Sequence, residues 1–197
     1  TAQVAALTST QLGALAAAAI AGLGDTQIAV LNETQLDKLS ATQLARLDTA
    51  ALAALSETMV QSLTTTQIRG LTRTLIAALS TEQFQSLTTT QLGALTALQM
   101  VGLSSTNVSY LSTTQLAALA STQIAALAST ALAGLNETQV AALTTTQLSR
   151  LTASHLGQMT STAFDALTQT QVQALTTDQI RGLTGATVAA LSATALN

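Results

Sequence analysis

The chain has 197 residues, of which 48% are hydrophobic and only 8% charged, with a net charge of -3, one histidine, no cysteine and no proline. An ordinary soluble domain is about one quarter charged, so Thr, Ser and Gln must hydrate this surface, and nothing here offers the clustered Lys and Arg that nucleic acid requires. Disulfides and thiolate metal sites are excluded, and the longest apolar run, Leu12 to Gly24, is too short for the roughly 20 residues of a membrane-spanning helix.

From its N-terminus onward the chain is periodic. Leucine stands at Leu7, Leu15 and Leu23 and at every eighth position as far as Leu191, with Met159 the one exception. Three places before each falls a second apolar residue, from Val4, Leu12 and Ile20 to Val188. The phase never slips, so residues 1–197 read as a single octapeptide array of 24 complete or nearly complete units plus a partial end. A fixed short period is the mark of a repeat architecture. Lettering the octad a to h, with a at Thr8 and h at Leu15, puts the apolar pair at e and h.

The first full octad, Thr8-Ser9-Thr10-Gln11-Leu12-Gly13-Ala14-Leu15, predicts a helix over 9–14. Of the 24 a positions, 20 are Ser, Thr, Asn or Asp, the residues preferred as helix N-caps. Position d is Gln in 15 of 25 units. Ser/Thr-x-x-Gln is a capping box, in which the cap hydroxyl accepts from the N3 amide while Gln reaches back to the cap amide. The h leucine then falls just before the cap and the e residue at N4, the arrangement of a hydrophobic staple. The caps Thr8, Ser40, Thr64, Thr88, Ser112, Thr144 and Thr176, with Gln11, Gln43, Gln67, Gln91, Gln115, Gln147 and Gln179, predict a fresh helix each time. These run over 9–14, 41–46, 65–70, 89–94, 113–118, 145–150 and 177–182, each under two turns and about 9 Å long.

The predicted core is the e and h ladder: Ile28, Ile68, Leu92, Ile124, Val140 and Ile180 at e, and Leu15, Leu23, Leu47, Leu71, Leu95, Leu119, Leu143 and Leu175 at h. Position g is Ala, Gly or Ser in 18 of 24 units, as a site facing a neighbouring backbone requires, and is read as the third wall of the core. Position f admits Asp37, Gln61, Arg69, Asp165 and Arg181 and is read as facing water. One continuous helix is excluded, because its apolar stripe would rotate about 80° further with every octad. A β-solenoid is the alternative, since Thr runs suit strands although Gln-Leu-Ala-Ala-Leu does not. Two buried side chains cannot offset the entropy of fixing eight residues, so each octad must lean on its neighbours. The expected fold is an all-α solenoid, a superhelical spiral with one very short helix per octad.

Little chemistry is legible. His155 replaces Gln at d in Thr152-Ala153-Ser154-His155-Leu156-Gly157-Gln158-Met159, and a lone histidine lacks the second ligand that a metal or haem site needs. Met59, Met100 and Met159 sit at d, e and h as fillers. No base, nucleophile and orienting group converge, so no catalytic residue, metal or cofactor is expected. Asp37-Lys38 and Arg46-Asp48 read as solvated surface pairs, and Gly185-Ala186-Thr187 as a degenerate unit with no phosphate-loop pattern.

The octads Thr88-Thr89-Thr90-Gln91-Leu92-Gly93-Ala94-Leu95 and Ser112-Thr113-Thr114-Gln115-Leu116-Ala117-Ala118-Leu119 resemble the Thr/Gln/Ala/Leu arrays of very large bacterial surface or secreted proteins of the adhesin-like and haem-utilisation-like groups. The resemblance covers the whole chain. It implies an extracellular repeat region and transfers no binding residues. The expected role is structural, a stalk, fibre or filament of stacked octads. The alternative is a binding module that presents Thr and Gln rows to carbohydrate, mineral or ice. Thr1 enters at position b and Asn197 leaves at f, and neither end is sealed by charge. The partners expected are therefore further copies of the chain, head to tail, or neighbouring repeats of a longer polypeptide. No nucleic acid, membrane span or small-molecule ligand is expected.

Overall fold

A computed structural model of the chain describes residues 1–189. Among the described residues there are 23 α-helices and one 3-10 helix, each of four to six residues, and no strand. The fold is all-α, and the β-solenoid alternative is overturned. The 3-10 helix, Ser129–Gly134, lies in an octad with alanine at both a and d (Ala128 and Ala131).

Helices start where the boxes stand. Thr64 is typical: its hydroxyl accepts from the Gln67 amide at 3.2 Å, and its own amide donates to Gln67 Oε1 at 2.8 Å. Where the cap is Gly24 or Ala120 there is no hydroxyl, yet the cap amide still donates to Gln27 or Gln123 at 3.0 and 2.8 Å. The helices end without a left-handed residue, for no described residue has positive φ. The chain instead leaves through two extended residues, such as Leu71 (φ -61°, ψ 140°) and Thr72 (φ -69°, ψ 159°). The Leu71 amide donates back to the Ile68 carbonyl at 3.2 Å, closing the last turn. Glycine and proline are therefore dispensable at these corners. The cost is a set of helix-end carbonyls with no local cap.

The chain forms two compact units, Thr1–Gln99 and Met100–Asn197. Within the first, Ser9–Gly13 packs on Glu33–Asp37, which packs on Glu57–Ser62, which packs on Thr81–Ser86. Ala17–Ile20, Ala41–Leu44, Thr65–Gly70 and Thr89–Ala94 form a second column, and Asp25–Ile28, Thr49–Ala53 and Arg73–Ala77 a third. The second unit repeats the plan, with Ser105–Ser109, Ser129–Gly134, Ala153–Gly157 and Thr177–Arg181 as one column. Within each unit, packed helices thus stand 24 residues, or three octads, apart.

This stacking explains the small residues at g. A Cβ built on Gly70 would overlap Ala41, one on Gly134 would overlap Ser105, and one on Gly182 would overlap Ala153. In each case g meets the b residue one solenoid turn earlier. Position g is nevertheless mostly half-buried or exposed, so its reading as the third core wall is corrected. The third wall is d, where Gln35, Gln67, Gln91, Gln139 and Gln147 are buried alongside Ala51, Met59, Leu75 and Ala163. Glutamine looks like a surface residue by type, and only its bonding explains why it is inside.

Candidate functional site

The distinctive site of this molecule is the corner between turns, and glutamine closes it. In the capping box Gln91 Oε1 accepts from the Thr88 amide at 2.9 Å. Its Nε2 then reaches one solenoid turn back and donates to the carbonyls of Val60 and Leu63, both at 2.8 Å, and of Gln61 at 3.1 Å. These carbonyls lie at the helix end, where the Val60 carbonyl also accepts from the Leu63 amide at 3.3 Å. One primary amide therefore starts its own helix and finishes another.

The offset recurs. Gln67 donates to Leu36 and Leu39, Gln83 to Leu52 and Leu55, and Gln99 to Ile68 and Leu71, all at 2.7–3.1 Å. In the second unit Gln139 reaches Val108 and Leu111, Gln147 reaches Leu116 and Leu119, and Gln179 reaches Leu148 and Leu151. In these corners donor and acceptors stand 31 and 28 residues apart, at e and h of the earlier turn, while Gln35 at the start of the chain reaches Ala5 and Leu7, 30 and 28 residues back. Among the described residues no buried side-chain nitrogen or oxygen lacks a partner. The bonds are worth much here because an unpaired buried carbonyl costs about 1–3 kcal/mol.

The predicted caps lie at these corners. Thr8, Ser40, Thr64, Thr88, Ser112, Thr144 and Thr176 each accept from the amide three residues on. Gln11, Gln43, Gln67, Gln91, Gln115, Gln147 and Gln179 each accept from the cap amide at 2.7–2.9 Å. Of the predicted core, Leu47, Leu71, Leu95, Leu119, Leu143, Ile28, Ile68, Leu92, Ile124 and Val140 are buried. Leu15, Leu23 and Leu175 are half-buried. Ile180 is a correction, being 46% exposed. Its helix, Thr177–Arg181, packs on Ala153–Gly157 on one side, and no described helix stacks on the other.

His155 occupies the glutamine place and imitates it. Its Nδ1 accepts from the Thr152 amide at 3.1 Å, as Oε1 of Gln does elsewhere. The imidazole also hydrogen-bonds the Leu127 backbone, a bond that favours the charged form, which makes the carbonyl the acceptor. Leu127 is 28 residues back, the same offset as for Gln. Burial pushes the pKa of this imidazole below the ordinary histidine value, and the Leu127 bond opposes that shift in part. The sequence reading missed the cross-turn donor in both residues. Its signal was available: Gln and the Nε2–H tautomer of His share an acceptor and a donor on one flat group.

Elsewhere the surface is plain. Lys38 pairs with Asp37 at 3.0 Å, whereas Asp48 turns to its own helix and accepts from the Ala51 amide at 2.7 Å. Among the described residues no three His, Asp or Glu side chains gather as a metal site, and no helix is long and apolar enough to cross a membrane. Three open grooves border octads whose d residue is not Gln. The first, about 520 Å³, is lined by Leu31, Asn32, Ala54, Ser56 and Met59 among others. The second lies between Arg46 and Thr72, the octad of Leu75, and the third between Leu135 and Thr160, the octad of Ala163. Threonines at c are exposed and recur along the columns, as Thr42, Thr66 and Thr90, or Thr122, Thr146 and Thr170. No protein-family model matches the chain, and no curated protein is similar to it.

Proposed function

We propose that the chain is a structural repeat element, a stalk, fibre or filament on an extracellular or bacterial cell surface. One observation carries this reading: within each unit the helices pair at the same 24-residue period, and where d is glutamine the same tie joins one turn to the next. An interface that repeats by translation serves length. It also extends between copies, because a head-to-tail contact of this kind propagates unless it closes into a ring. The grooves are open, and no base, nucleophile and orienting group are seen to converge in them, which supports a mechanical or spacing role over an enzymatic one. Negative-stain imaging and light scattering of the isolated chain test this. Elongated particles or end-to-end filaments are expected, and compact monomers independent of concentration would overturn it.

A binding module is the second reading, favoured by the exposed c-threonine columns. A repeated row of hydroxyl and methyl groups suits a periodic surface such as polysaccharide, mineral or ice. Replacing Thr42, Thr66 and Thr90 together by Lys would abolish adsorption to such a surface and leave the fold intact. If adsorption survives the change, that column is not the binding face.

A further inference from the structure

We propose that the His155 corner is an acid-sensitive latch in the second unit: protonating the imidazole breaks the N-cap of Ala153–Gly157 and loosens that turn, while the glutamine corners hold. The argument rests on which atoms donate. Nδ1 accepts from the Thr152 amide at 3.1 Å, so it must be unprotonated. The other ring nitrogen gives its hydrogen to the Leu127 carbonyl. An imidazolium carries N–H on both nitrogens, which sets Nδ1–H against the Thr152 N–H and leaves two donors facing each other. A primary amide has no second protonation state, so every Gln corner is indifferent to the same change.

Apart from the Leu127 carbonyl, the surroundings offer the cation no compensating charge. His155 is 8% exposed. Its helix packs on Ser129–Gly134, which carries no ionisable group, and on Thr177–Arg181. There Asp178 and Arg181 are exposed and face each other at 3.6 Å. The rest of the His155 octad has no ionisable side chain. Burial accordingly lowers the proton affinity of this group in the folded chain. A depressed folded-state pKa means stability that is fully present above the unfolded value and lost as pH falls through the folded one. All nine Asp and Glu are exposed, so none is buried beside the imidazole.

Hydrogen exchange read by mass spectrometry on the full chain tests the latch, comparing wild type with His155→Gln at about pH 7.5 and about pH 5. The variant restores the residue most common at d, so it folds, and comparison at equal pH cancels the intrinsic exchange chemistry. Relative to the variant, opening of residues 152–157 in wild type should rise about tenfold for each unit of depression as the pH drops. Nitrogen NMR at neutral pH should find the Nε2–H tautomer. Equal pH response in both proteins, or an Nδ1–H tautomer, would overturn the proposal.

Discussion

The corners at Gln91 and Met59 lie in the same unit and begin alike, yet they close differently. At the first, Thr88 caps the helix and Gln91 ties it to Val60 and Leu63 one turn back. At the second, Ser56 caps Met59 at 3.3 Å, and the d side chain has no donor for the Ile28 and Leu31 carbonyls below it. There the surface opens into the groove lined by Leu31, Ala54 and Met59. Both helices form, and Val60 and Leu92 are equally buried. The hydroxyl cap and the apolar ladder therefore suffice for a helix, whereas the amide specifies how one turn sits upon the next. A buried amide whose partners lie 28 and 31 residues away selects three octads per turn, since any other number would leave it unpaired.

The most damaging way to break the Gln91 corner is Gln91→Glu, which keeps shape and removes only the donor. An ionised carboxylate there would face the Val60 and Leu63 carbonyls, and an uncompensated buried charge costs about 3–5 kcal/mol. Neutralisation must accompany folding, so its folded-state pKa is raised. The stability is then present at low pH and lost as pH rises, a direction that urea melts at two pH values would read. Leu95→Ala should cost about 2–5 kcal/mol by removing a ladder leucine that is 4% exposed. Gln91→Ala removes the donor to the Leu63 carbonyl, while the Val60 carbonyl keeps its bond from the Leu63 amide, and should cost about 1–3 kcal/mol, with exchange enhanced at the Leu63 corner more than elsewhere. Met59→Gln sharpens the comparison from the other side. If the amide supplies register wherever it is placed, this change should gain about 1 kcal/mol in a denaturant melt and fill the groove.

Much of this was legible in the sequence, because the decisive devices are local. The box at Thr64 and Gln67 spans three residues, and the e and h ladder needs only its own period. The helix starts, the all-α class and the burial of Leu71 or Ile68 follow from those. What could not be read was the long-range half. Three octads per turn is a property of how Thr65–Gly70 meets Ala41–Leu44, and no short window contains both. Position d was therefore read as a cap alone, although its burial turns on carbonyls 28 and 31 residues away. His155 was read as a bland substitution for the same reason, and its exchange of roles with Gln becomes visible only beside Leu127.

The smallest expected effect makes the sharpest contrast, because it involves the same residue type at the same corner. Gln61 stands at f, its side chain is exposed, and its backbone carbonyl accepts from Gln91 Nε2 at 3.1 Å. Alanine keeps that carbonyl. Gln61→Ala should then cost under about 0.5 kcal/mol in the same denaturant melt in which Gln91→Ala costs several times more. The two substitutions remove identical atoms, so composition and helix propensity cancel between them. Any difference measures where the amide sits. A cost for Gln61→Ala comparable to that of Gln91→Ala would mean that f is part of the corner, and the division between a tied interior and a solvated face would have to be redrawn.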